Sequence, residues 1–277
     1  MKMNNTRVMN FEGAIRGLRN PLESWAKSDS LFGIDELEYC DADYEVANYW
    51  EEKEYGYDFE TEYDKYYEKQ EYYAEWLRKN GVLNVNHECI EYAFLGPNDL
   101  NLAKRMVKAG ASDRKFLRQI FVSVDITAPL YWFKEFDTYK ISTVANSTST
   151  MHKLSSTPIT IDCFETDDYN KDLKLYENVK TDNEGTYDYF IDDFTKELIK
   201  HLETLRLKFI ETKDKRYWKE LVRWLPDGWL QTRTVTLNYE NLRNIYFQRR
   251  HHKLTEWHQF CKWIEDLPYS ADLITYN

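Results

Sequence analysis

The segment from Phe116 to Thr150 limits what this chain can become more than any other, because three unlike patterns follow one another in it. First, FLRQIFVSVDIT alternates: Phe116, Ile120, Val122, Val124 and Ile126 point one way, with Arg118 as the exception. Successive side chains of a strand point to opposite faces, so this predicts a strand with one buried face. Ala128-Pro129 comes next, and the fixed φ of Pro129 suits the first turn of an aromatic helix over APLYWFKEFDTYK. Then the nine residues from Ser142 to Thr150 are almost all small hydroxyl or amide side chains. They have little to bury. The run is either a polar loop or a holder of something with many hydrogen-bonding oxygens.

Helical and extended patterns are mixed elsewhere too. Pro97-Asn98 opens a helix whose Leu102, Met106 and Val107 share a face and which Gly110 closes. Residues 155–188 read as loop and hairpin, with a turn at Asn183-Glu184-Gly185. A long helix follows, with Phe194, Leu198, Leu202, Leu205 and Phe209 at helical spacing. RYWKELVRW is a shorter one that stops at Leu225-Pro226 and the Asp227-Gly228 turn, and TRTVTL is extended. Asn238 is a good N-cap for NYENLRNIYFQRR, and Thr255 caps TEWHQFCKWIEDL, where Trp257, Phe260, Cys261 and Ile264 form one stripe. Without βαβ alternation, this mixture predicts an α+β fold.

The charge is unevenly placed. Residues Asp35 to Glu75 hold sixteen carboxylates against three lysines, a balance of -13, so the remainder of the -11 chain is close to +2. The same acidic segment carries ten tyrosines and is expected to be a helical excursion from the body; a sharper reading makes it a docking surface for a basic partner. Cys40, Cys89, Cys163 and Cys261 stand far apart without CxxC pairing, which fits reduced thiols rather than disulfides or a zinc site. No apolar run is long enough for a membrane span, and MKMNNTRVMNFEGAIRGL does not read as a secretion signal. A cytoplasmic protein is expected.

The chain has no GxGxxG, Walker loop or GxSxG, so phosphates would be held by side chains and helix termini. His251, His252 and His258 lack the i, i+4 pair of a helical metal site, and no metal is expected. Arg223, Arg243, Arg249, Arg250 and Lys253 flank predicted helices, and a guanidinium fork matches phosphate oxygens.

A strand ending in Ala-Pro, a helix, a polar motif closed by Lys153-Leu154, a long helix, then Leu225-Pro226 and the Asn238-to-Arg249 helix together resemble the flavin-dependent thymidylate synthases. Counted from Ala128-Pro129, that family's RHRxxSxNExSxRY signature falls on Thr138 to Met151. The frame persists while the letters change. Thr138, Tyr139 and Lys140 stand for Arg, His and Arg; Thr143 and Thr148 for the serines; Ala145 and Asn146 for Asn and Glu; Thr150 and Met151 for Arg and Tyr. The resemblance covers roughly residues 98–266 and implies residues 1–34 as an N-terminal part of the core, 35–80 as the acidic insert and 81–277 as the main core.

What it implies for the site is a pyrimidine nucleotide as ligand. Arg249 and Lys140 would be catalytic. Both, with Arg223, Thr143, Asn146, Thr148 and Ser149, would bind the nucleotide. Asn244, Asn238, Gln119 and Thr138 would face FAD. An active member would use NADPH and methylenetetrahydrofolate to methylate dUMP, as a homotetramer with shared sites, without binding nucleic acid or membrane. Replacing a charged donor by Thr removes bonds worth roughly 1.5–3 kcal/mol each. That opens two alternatives: a non-catalytic member that senses or sequesters a nucleotide, or an interaction protein working through its acidic segment.

Overall fold

A computed structural model describes residues 1–36, 82–85, 89–180 and 185–277. Residues 37–81, on which the expected acidic helical insert falls, lie outside these, as does most of the turn expected at Asn183-Glu184-Gly185. The fold is α+β. Its strands are β1 (Lys2–Met9), β2 (Leu31–Glu36), β3 (Val82–Val85), β4 (Cys89–Phe94), β5 (Phe121–Pro129), β6 (Val144–Ser147), β7 (Lys174–Lys180), β8 (Thr186–Phe190) and β9 (Leu230–Asn238). Its helices are α1 (Phe11–Arg19), α2 (Pro97–Ala109), α3 (Leu130–Phe136), α4 (Thr150–Ser156), α5 (Ile191–Thr212), α6 (Lys215–Arg223), α7 (Tyr239–Arg249), α8 (Thr255–Glu265) and α9 (Ser270–Leu273).

Among the described residues the strands form a four-stranded sheet ordered β1-β5-β9-β6, an antiparallel sheet ordered β2-β4-β3, and the β7-β8 hairpin. The chain divides into two compact units. One contains residues 1–2, 126–138 and 146–234; the other contains 3–125, 139–145 and 235–277.

The second unit is built around aromatic contacts and one buried charge cluster. In α1, Phe11, Ala14, Ile15 and Leu18 recur at helical spacing and are buried. The Phe11 ring meets Tyr239 edge-on at 5.6 Å, and Tyr239 donates its hydroxyl to the Pro268 carbonyl at 2.7 Å. Buried Asp99 accepts from Arg19 Nε (2.5 Å), Ser28 Oγ (2.7 Å), Ser30 Oγ (2.6 Å) and the Asp29 amide (3.1 Å). Asp29 in turn receives the Asn98 and Asp99 amides, capping α2 from outside the helix.

The strand expected from Phe116 begins only at Phe121, because residues Arg114–Gln119 form a 3-10 helix. Phe116 and Leu117 are buried from that helix, which explains why Arg118 broke the alternation. Val122, Val124 and Ile126 do alternate inward. Thr255 is not the cap of its helix. Leu254 holds that position, with its amide donating to His252 Nδ1 at 3.2 Å, and the expected Trp257, Phe260, Cys261 and Ile264 stripe is buried.

In the first unit, Pro129 ends the strand with extended backbone (ψ 153) rather than opening the helix. The first amides of α3 are satisfied outside it: Leu130 donates to the Trp229 carbonyl and Tyr131 to that of Asp227. Trp132 stacks on Phe136 at 5.0 Å. Leu154, Ile159, Leu202, Leu221 and Trp229 form an apolar cluster in this unit. The long helix is less covered than its periodicity suggested, since Phe194 is 49% exposed.

Candidate functional site

The small-polar run is an exposed edge of backbone rather than a buried element. Ser142 holds a left-handed φ of 57°, an uncommon conformation for a residue with a side chain. It turns the chain out of the aromatic helix into β6, which is exposed throughout. Ser149 then caps α4, accepting the His152 amide at 3.3 Å.

In the unit containing 139–145 and 235–277, the start of this run meets α7. Asn238 fixes that helix by accepting the Asn241 amide at 2.9 Å. Asn241 donates its side-chain amide to the Ile141 carbonyl at 2.5 Å. At the other end of α7, Arg249 Nε donates to the Tyr139 hydroxyl at 2.8 Å, and that hydroxyl donates to Gln248 Oε1 at 3.0 Å. The Arg249 guanidinium lies 4.7 Å from the Trp257 ring centroid and 5.6 Å from that of Tyr139. Such stacking orients a planar cation. Lys140 is exposed between Tyr139 and Ile141. The Thr143 hydroxyl oxygen is shut off from solvent with no hydrogen-bond partner among the described residues.

Of the other expected residues, some are committed to structural contacts and some are exposed. Asn238, expected at a flavin, is 2% exposed with its oxygen on the helix cap. Asn244 is exposed on α7, and Gln119 is exposed beside α1, where a Cβ on Gly17 would come within 2.5 Å of its Oε1. Arg243, one of the cations flanking the late helix, is buried and donates to the carbonyls of Ile274 (2.7 Å) and Tyr276 (2.5 Å). Burial, followed by the nearby Arg114 cation, lowers its pKa from the usual arginine value.

In the unit containing 126–138 and 146–234, the end of the run is held by β9. The Thr148 amide donates to the Thr232 carbonyl at 2.8 Å, and the Thr232 amide to Thr148 Oγ1 at 3.3 Å. Gln231 Nε2 lies 3.0 Å from the Thr148 carbonyl and 3.2 Å from Thr150 Oγ1. Asn146 and Ser149 are exposed. Thr138 directs its hydroxyl to the Glu135 carbonyl at 2.7 Å. Arg223 pairs with Glu220 on the surface of α6.

Sequence reading missed Tyr139 and Trp257 as the braces of Arg249. It also missed Gln231 and Arg233, polar residues on the same alternating positions of β9 as the buried Val235 and Leu237. Among the described residues no group of His, Cys, Asp and Glu could hold a metal ion, and no helix is long and apolar enough to cross a membrane.

No family profile matches this chain, and no curated protein matches it. Similar solved structures include a flavin-dependent thymidylate synthase ThyX from Helicobacter pylori complexed with FAD and dUMP. It is 16% identical, with 65% of this chain and 83% of that one covered, at a TM-score of 0.44. A second ThyX structure from that organism, with FAD and dUMP, is 14% identical and covers 89% of this chain and 97% of its own at 0.44. A UMP/dUMP methylase PolB from Streptomyces cacaoi bound with 5-Br UMP is 12% identical, covering 65% and 82% at 0.45. The functional reading rests on the residues themselves.

Proposed function

We propose that this chain binds and acts on a pyrimidine nucleotide in the manner of the flavin-dependent thymidylate synthases, with Arg249 and Lys140 holding the phosphate. One observation carries the reading. Tyr139–Ala145 and α7, which the resemblance assigns to sites shared between subunits, are bonded together within one unit of this chain, through Arg249 to Tyr139 and Asn241 to Ile141. That join puts the Arg249 guanidinium and the Lys140 ammonium on segments in direct contact. A guanidinium braced on two rings gives up little freedom when it meets a phosphate. Thr143 is proposed as a neutral hydrogen-bonding group whose hydroxyl, unpartnered but shut off from solvent, would have to turn outward to reach a ligand.

Asn146, Thr148 and Ser149 are proposed as sugar and base contacts, and Arg223 as a second phosphate ligand that would have to leave Glu220. Flavin binding would rest on Asn244 and Gln119, whose side chains are exposed, since Asn238 and Thr138 already have internal partners. Bound FAD would supply the hydride for methylation, with methylenetetrahydrofolate as carbon donor and NADPH as reductant. The chain's own part is to orient the nucleotide and offer donors to the charge that develops on it. A homotetramer is proposed, to be checked by light scattering.

The test is nucleotide titration. Arg249→Ala should weaken dUMP binding roughly ten- to a hundredfold, the loss of a charge-assisted bond. Unchanged affinity would remove Arg249 from the site and this reading with it. A second reading, nucleotide binding without the redox reaction, is favoured by Thr138 and Tyr139, which engage internal partners where the family signature has charged donors. The visible absorption spectrum separates the two: flavin bands near one per chain select the enzyme. A colourless protein that binds dUMP but takes up no added FAD selects the binder.

A further inference from the structure

Gln231 has an amide whose orientation is fixed from both ends. Its Oε1 lies 2.9 Å from Arg233 Nε, and its Nε2 lies 3.0 Å from the Thr148 carbonyl. A guanidinium only donates and a carbonyl only accepts, so neither contact survives a flip of the amide. The same Nε2 lies 3.2 Å from Thr150 Oγ1, which must therefore accept. Among the described residues no other contact to the Thr150 hydroxyl is found, so its own proton has no acceptor among them. Arg233 is itself held firmly. Its guanidinium lies 3.9 Å from the Phe133 ring centroid, Nη1 donates to Asp137 at 2.7 Å, and its side chain is 16% exposed. All of these residues belong to one unit.

We infer that Arg233 and Gln231 are positioning residues that make Thr150 a hydrogen-bond donor to an acceptor oxygen of the nucleotide. The inference rests on the reading that the Ser142–Thr150 run binds that ligand. Its physical content is a relay of hydrogen-bond direction: Arg233 sets the amide of Gln231, the amide occupies one lone pair of the Thr150 oxygen, and the Thr150 proton is turned away from Gln231, where it can donate. An acceptor-rich ligand is selected, such as a uracil carbonyl, a ribose oxygen or a phosphate.

The relay predicts a non-additive mutant cycle. Thr150→Val removes the hydroxyl at nearly constant shape and should weaken dUMP binding roughly three- to tenfold. Arg233→Met keeps the packing on Phe133, frees the amide to turn, and should give a loss of similar size. The double variant should lose no more than either alone, because the residues act through one hydroxyl. Arg233→Lys, which retains a cation and a donor, should restore part of the affinity, and Thr150→Ser most of it. Additive losses, or an Arg233→Met protein that binds as wild type does, would overturn the inference. A readout without ligand separates this from failure of the nucleotide reading. The side-chain NH2 signals of Gln231, seen by NMR in the free protein, should exchange slowly in wild type and lose that protection in Arg233→Met. Equal protection in both proteins overturns the relay whatever nucleotide is bound. Lost protection in a protein that binds no dUMP would overturn the nucleotide role and leave only a structural relay.

Discussion

The two units treat buried charge differently. In the unit containing α1 and α2, Asp99 is completely buried and receives four donors, from Arg19, Ser28, Ser30 and the Asp29 backbone. In the unit containing α5, Arg206 grips Glu203 through Nε (2.7 Å) and Nη2 (2.5 Å), but Glu203 remains 24% exposed. The first cluster has replaced water with protein donors on every side. The second still shares its carboxylate with solvent, aided by the Ile159 amide at 2.8 Å. A carboxylate cut off from water depends on each partner, whereas one lapped by water can replace a lost partner.

The largest effect should therefore come from Asp99→Asn, which leaves Arg19 buried without its counter-charge: a loss of about 3–5 kcal/mol in urea unfolding. Burial alone pushes the Asp99 carboxyl up, but hydrogen bonds from Ser30, Ser28 and Arg19 outweigh it and hold the pKa below the usual value. A depressed folded pKa gives stability that is present above the unfolded value and is lost as pH falls through the folded one. The gap between wild type and Asp99→Asn should thus be widest near neutrality and narrow in acid. A gap independent of pH would mean that the ionised carboxylate is not what the fold requires.

Arg206→Ala should cost less, about 1–2 kcal/mol, because solvent can take over part of the Glu203 hydration. Here the Arg206 hydrogen bonds come first in holding the Glu203 pKa down, ahead of the opposing effect of burial. If Arg206→Ala proved as damaging as Asp99→Asn, exposure would not be what distinguishes the two clusters.

The same contrast explains what could be read from the residues alone. The α8 stripe, the inward alternation of Val122, Val124 and Ile126, and the Asn238 cap are local patterns enforced by local geometry, and all three are present. The start of β5 was misread because a 3-10 helix also buries Phe116, so apolar spacing alone did not mark where the strand begins. Pro129 was misread because the amides after it find carbonyls of Asp227 and Trp229, about a hundred residues away, and no pattern near Pro129 encodes them. The small side chains of the polar run suit an exposed strand, but the grip of Gln231 on Thr148 and Thr150 is a long-range pairing that no local pattern encodes. The candidate cations divide likewise. Spacing picks out Arg249 as a candidate, while the fate of Arg243 depends on where Ile274 and Tyr276 lie.

The smallest predicted stability change distinguishes structure from ligand at Asn238. Its oxygen caps α7, and Asn238→Ala should cost about 1 kcal/mol, the usual value of an N-cap. Asp caps as well as Asn does, so Asn238→Asp should keep most of that stability. The Asp side chain lacks the amide hydrogens, however, so any flavin or nucleotide held through them would be lost. A variant with wild-type unfolding and wild-type ligand affinity makes Asn238 a cap and nothing more. Wild-type unfolding with weakened FAD or dUMP binding would show that the amide nitrogen reaches a ligand while the oxygen holds the helix. That outcome would join the α7 cap to the site proposed at Arg249, eleven residues on at the other end of the helix, and make α7 the element on which ligand and fold both depend.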